Sequence, residues 1–271
     1  MSWRSKSAGL ALTVSLLLPV WFVVSALGVK FGLWSWQFGL GVLIVQWGLP
    51  LLIAATVVAV VALIALLVRK PRRGWPVALI ALIIPALGLG YLGWIKAQSD
   101  AIPPIHDIST DIVDPPVPSA RLLALRSAEE ANPVVDMTAP LTAAQAYQGE
   151  GFARFGDRSL GQVGQEAYPM LRTKELAVSP AAAFAAARDA ARGIGWTLVT
   201  EDEAGGTLEA TAETFWFGFQ DDVIIRVRPA AGGQGSRIDV RSISRVGLSD
   251  LGANAKRIED YLAQVSAEPE A

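Results

Sequence analysis

The sequence predicts an all-α transmembrane region of three helices followed by an α+β domain, a mainly antiparallel sheet of about five strands with two helices on one face. Three observations predict this. Residues 10–29, 39–68 and 75–94 are long apolar runs without one charged side chain. From Leu171 onward, short runs rich in β-branched and aromatic residues alternate with Gly-rich turns. Two amphipathic stretches, beginning near Pro180 and Ser249, bracket four of those runs.

A spanning helix needs about 20 apolar residues, and each of the three runs supplies them. The second run is the longest, but a helix of that length reaches only about 45 Å, too short for two crossings, so it reads as one tilted helix with Pro50 as a candidate kink. Trp34, Trp36 and Trp47 mark the interface of the second helix, and Trp75 and Trp94 bracket the third. Arg4, Lys6, Arg69, Lys70, Arg72 and Arg73 fall on one side of the membrane, with Lys30 and Lys96 on the other. That bias predicts a multi-pass protein of the cell inner membrane, its N-terminus cytoplasmic and everything after Trp94 extracytoplasmic. The first run exceeds the usual leader core, so an anchor is expected rather than a cleaved signal peptide. Gly88, Gly90 and Gly93 match G-x-G-x-x-G, but inside a spanning helix they suit close helix packing, and no cofactor is expected.

The net charge of -2 hides an asymmetry: residues 1–100 carry eight Lys/Arg against Asp100 alone, and residues 101–271 carry fifteen against twenty-four acids. An acidic C-terminal region argues against nucleic acid as a partner. The chain has no cysteine, which excludes disulfides and thiolate chemistry. Residues 97–118 are rich in Pro and Asp and read as an extended linker between a membrane region, 1–96, and a domain, 119–271. The one histidine, His106, stands there near Asp107, Asp111 and Asp114; turn-forming acids in a solvated linker explain these better than a metal cage.

Within the domain, Arg121–Glu130 suggests a short helix, Thr142–Gln148 suggests another, and glycines between 149 and 164 break the pattern that follows. Leu171–Val178 reads as a strand. Ser179-Pro180 opens a helix to about Arg192, closed by Gly193 and Gly195. Strands follow at Trp196–Glu201, Thr207–Phe217, Asp222–Arg228 and Arg237–Val246, and Ser249 caps a last helix striped by Leu251, Ala255, Ile258, Leu262 and Val265.

Alternation puts Val223, Ile225, Val227, Ile238 and Val240 on one face, and Arg226, Arg228, Asp239, Arg241 and Arg245 on the other. Phe215, Trp216 and Phe217 add aromatic surface. Two readings stand. An open groove of Phe215, Trp216, Phe217, Arg226, Arg228, Arg241 and Arg245 would suit an anionic lipid headgroup. Alternatively, Asp239, Asp221 and Asp222 neutralise the arginines and residues 119–170 cover the rings, an arrangement that common structural ion-pair networks favour.

The runs Thr214–Val223, Arg226–Pro229 and Asp239–Ile258 resemble the DUF1499 family, a domain of unknown function. The resemblance extends from about Ala101 to Val265 and is most specific in the last sixty residues. Ile102–Asp111 and Gln165–Pro169 resemble its membrane-anchored bacterial subfamily. The resemblance implies a domain boundary and no reaction. Many relatives have a cysteine near the start of the domain that is absent here.

Without Cys, and with one His, the chain offers no Ser–His or Cys–His pair, so a non-enzyme is expected. Asp221, Asp222 and Asp250 are the candidate acids for a carboxylate-dependent hydrolase, with Asn254 and Arg257 completing a polar cluster or pinning the last helix to the sheet. Three functions follow: an extracytoplasmic domain that binds a ligand or partner, such as an anionic lipid or envelope protein; a structural subunit of a membrane complex; or the hydrolase.

Overall fold

The computed structural model describes residues 3–68 and 70–266, so Arg69, one of the orienting cations, lies outside the described residues. By internal contacts the chain falls into two compact units, residues 1–98 with 215–218, and residues 99–214 with 219–271.

In the first unit, α1 is Trp3–Lys30, a π-helical segment Gln37–Gln46 runs directly into α2, Trp47–Val68, and α3 is Trp75–Ala101. Three helices, 6–30, 37–68 and 75–101, are long and apolar enough to cross a membrane. The second run is one continuous helix, whose winding tightens to α three residues before Pro50, where the ladder loses an N–H. Ala8 and Ala11 of α1, Ala59, Ala62 and Leu66 of α2, and Ala78 and Ala81 of α3 form one buried cluster. Small side chains let helix backbones approach closely, and the Ser15 hydroxyl donates to Ala81 O at 2.6 Å across that interface. Of the three motif glycines, Gly88 is packed: a Cβ there would lie 2.5 Å from Leu52 Cδ2, whereas Gly90 and Gly93 meet nothing within 4 Å.

The second unit is built on a six-stranded antiparallel sheet. Its strands are β1 (Asp107–Ser109), β2 (Lys174–Leu176), β3 (Thr197–Asp202), β4 (Thr207–Glu213), β5 (Gln220–Pro229) and β6 (Ser236–Ser244). The order is β1-β6-β5-β4-β3, with β2 also on β6. The helices are α4 (Ala120–Ala128), α5 (Glu150–Ala153), α6 (Leu160–Ala167), α7 (Pro180–Gly193) and α8 (Ala253–Gln264). Ser179 caps α7 by accepting from Ala182 N, with Pro180 at the first helical position. Phe184 and Ala187 of α7, and Ile258 and Tyr261 of α8, share one buried core with Val223, Ile225, Ile238 and Val240, so these two helices cover the face that the alternation assigned to them.

Four expectations need correction. Residues 107–109, expected in a solvated linker, form β1, pairing Asp107 with Ile243, and His106 and Asp107 are buried; Pro103-Pro104 obscured the short strand signal that follows them. The glycine-rich stretch 149–164 is not patternless. It holds α5 and the start of α6, opened by a capping box in which Ser159 and Gln162 satisfy each other's backbone N–H groups. β4 stops at Glu213: Thr214 N donates to Phe219 O at 2.8 Å, Phe219 N donates to Thr214 Oγ1 at 2.9 Å, and the chain turns through residues 215–218. The high strand propensity of Phe-Trp-Phe yields to that turn. Finally, Ser249 does not cap α8. Gly252, at φ +84°, is the N-cap residue, and Asp250 accepts from Gly252 N and Asn254 N.

Candidate functional site

The arginine face is built from β4, β5, β6 and β1, with partners drawn from residues 107–135. Arg241 grips Asp107 with two parallel bonds, Nε to Oδ1 at 2.9 Å and Nη2 to Oδ2 at 2.7 Å, and also donates to Pro116 O and Val135 O. This bidentate geometry is the strong form of an Arg–carboxylate pair, and both side chains are at most 3% exposed. Arg245 makes the same kind of clamp on Asp222, at 2.7–3.2 Å, and reaches Glu129 at 2.6 Å and the Gln220 side chain. Asp222 also accepts from Arg126 of α4 at 2.6 Å and from the Thr211 hydroxyl at 2.9 Å, so one buried carboxylate serves two guanidinium groups.

At the other end of β5 and β6, Arg226 and Arg228 share Asp239, Asp111 and Asp114. The Arg228 bond, aided by the charge of Arg226, holds the Asp114 carboxyl below its usual range. Glu209 of β4 accepts from both Ser119 N and Ser119 Oγ, fixing the start of α4 over the sheet. Leu122 of α4 packs on Ile224 and Ile243, which completes the cover with an apolar contact. The arginines are thus paired within the domain by Asp222 and Asp239, as one of the two readings had it, but Asp221 is not among their partners, Asp107, Asp111 and Asp114 are, and the cover comes from residues 107–135.

Phe215, Trp216 and Phe217 are not on this face. They stand in the turn between β4 and β5 and belong to the first unit. The structure thus brings Arg241 together with Asp107, and Arg245 with Asp222, while the aromatic residues group with the first unit.

The acids are likewise divided. Asp222 lies on the arginine face and Asp221 on the helix face, as adjacent strand residues must. On the helix face, Arg257 Nη2 bonds Asp221 and its Nη1 donates to Asn254 Oδ1 at 2.6 Å. Asn254 Oδ1 accepts from Ser242 Oγ at 2.6 Å, and its Nδ2 donates to Ser244 Oγ and His106 O. These bonds join α8, β6 and the chain entering β1. Burial, reinforced by the charge of Asp221, raises the half-buried Asp250 carboxyl above its ordinary value, although two backbone N–H groups oppose the shift. Nearby, His106 Nδ1 lies 3.1 Å from both Leu248 O and the Tyr147 hydroxyl, and burial pushes the Tyr147 phenol upward.

Sequence reasoning missed Arg126, Asp107 and Glu209 as partners. A buried strand in the proline-rich stretch would have exposed Asp107; nothing local marks Arg126 or Glu209, whose partners are 90 or more residues distant.

Fold and site together define a membrane-associated chain that carries an antiparallel α+β domain braced by buried ion pairs. The sequence model of one family, described as a protein of unknown function (DUF1499), matches residues 107–265, more than half of the chain. The chain belongs to the DUF1499 family. No curated protein matches it.

Proposed function

We propose that this protein is a multi-pass subunit of the cell inner membrane whose extracytoplasmic DUF1499 domain acts as a structural or partner-binding scaffold for envelope components. One observation carries the reading: the arginines that would receive an anionic ligand already have carboxylate partners within the domain, beneath a cover formed by residues 107–135. A ligand reaching Arg241 or Arg245 would have to displace Asp107 or Asp222, leaving a buried charge unpaired at several kcal/mol or about that order. The hydrolase reading loses support from the division of Asp221 and Asp222 between opposite faces.

A second reading rests on Arg226 and Arg228, which retain partial exposure, 16% and 29%, beside the more open Asp114. There an anionic headgroup could compete with Asp114. Purification of the full chain in mild detergent, with mass spectrometry of retained lipids and proteins, separates the two. The scaffold reading expects a reproducible protein partner and equal anionic lipid on the wild type and an Arg226→Ala, Arg228→Ala variant. Loss of a stoichiometric lipid in that variant, with no protein partner on either, overturns it in favour of ligand binding.

A further inference from the structure

We propose that the turn Phe215–Gly218 is a further membrane-contacting element, seated among lipid acyl chains at the Lys30 end of α1. The inference rests on the multi-pass reading above and extends it to a part of the chain far from the three spans in sequence. These four residues group with the apolar helices. Within that unit the Phe22 ring meets Trp216 edge-on at 5.4 Å and Phe217 at 6.2 Å. Phe22 precedes Lys30 by eight residues, which places it about 12 Å along α1 from the charged end. The Trp216 and Phe217 rings therefore meet α1 about 12 Å from its charged end, where it carries no charged side chain.

Lys30 Nζ donates to Phe215 O at 2.8 Å and lies 5.1 Å from the centre of the Phe215 ring. A lysine at a span terminus with aromatic neighbours is the pattern of a membrane interface, where the ammonium reaches water and the rings stay in hydrocarbon. Phe215 is 71% exposed and Trp216 42% exposed, an expensive display in water and a favourable one against lipid. The backbone is suited to such a place. Thr214 and Phe219 close the turn with a bond in each direction, and Lys30 satisfies the Phe215 carbonyl, which limits the polar backbone carried into a low dielectric.

The chain has no cysteine, so single labels are clean. The full chain is reconstituted in phosphatidylcholine vesicles with a spin label at Phe215→Cys or, as a water-exposed reference, at Gly232→Cys in the loop between β5 and β6. Relaxation by oxygen is compared with relaxation by a water-soluble nickel complex. The proposal expects an oxygen-to-nickel ratio several-fold higher at 215 than at 232. A ratio equal to the reference, or exclusion of both reagents, overturns it, the second outcome meaning burial in protein.

The unmodified chain gives an independent test that does not depend on how the variant folds. With a photoreactive group on the lipid acyl chain, adducts are expected on the peptide containing 215–217 as well as on the three helices. Labelled helices with an unlabelled 215–217 peptide overturn this proposal alone; unlabelled helices overturn the multi-pass reading beneath it.

Discussion

Asp222 is one of the acids that hold the arginine face together. It is fully buried and holds Arg126 and Arg245, which are 3% and 7% exposed. Asp222→Ala would remove the carboxylate that Arg126 binds and leave Arg245 with Glu129, and removing one partner of a buried pair costs about 3–5 kcal/mol. The expected outcome is a loss of that size in denaturant unfolding of the domain, with Glu129→Ala, whose carboxylate is half exposed, costing about 1 kcal/mol or less. Asp250 makes a different prediction. Its folded-state carboxyl is raised, mainly by burial, so the folded state favours the protonated form. The associated stability is fully present below the unfolded value of about 4 and is lost as pH rises through the raised folded value. Relative to Asp250→Asn, the wild type is expected to lose stability as pH climbs above about 4; unfolding midpoints of the two proteins as a function of pH check it. Of the polar cluster expected from Asp221, Asp222, Asp250, Asn254 and Arg257, Arg257 bonds both Asp221 and Asn254, while Asp222 lies on the opposite face. The partners of Arg241 and Arg245 were not legible in the sequence, since alternation places a side chain on a face but cannot say which distant segment will lie over it.

The elements whose patterns are self-contained matched their sequence signals. α7 carries its cap, its proline and its apolar stripe within one stretch, and β5 and β6 carry theirs in alternation. Elements that depend on a neighbour did not. β1 is three residues long and exists because β6 offers an edge, while the end of β4 is set by the Thr214–Phe219 turn. The β3–β4 connection shows how tightly such a turn can be specified. Gly206 has φ +67°, and a Cβ there would lie 2.2 Å from Val227 O, whose own residue donates its N–H to Gly206 O at 2.7 Å. Left-handed backbone costs a residue with a Cβ about 1–2 kcal/mol before any collision. Gly206→Ala is therefore expected to destabilise the domain by at least about 2 kcal/mol, measured by thermal unfolding, whereas Gly232→Ala, with open space around it, should change little.

Across the whole molecule, the three helices are apolar on faces that no protein contact covers: Leu17, Val61 and Leu87, for example, are 57%, 60% and 69% exposed. Such exposure is compatible with contact with membrane lipid. The chain is expected to remain in the membrane fraction after alkaline carbonate washing, and a C-terminal alkaline phosphatase fusion, active only outside the cytosol, is expected to be active. An inactive phosphatase with an active cytosolic reporter at the same position would reverse the orientation drawn from the Lys/Arg bias.

The sequence by itself determined the three apolar helices, the antiparallel α+β class, the two-helix face and the family, because each is written in a local period, an uninterrupted apolar run or a contiguous motif. Only the tertiary structure decided that the arginines are paired by Asp107, Asp111, Asp114 and Asp222, that Asp221 and Asp222 serve opposite faces, and that the Phe-Trp-Phe turn groups with the apolar helices. Those outcomes depend on contacts between residues tens to nearly two hundred positions apart, and no local pattern encodes which of many compatible partners the folded chain brings within bonding distance.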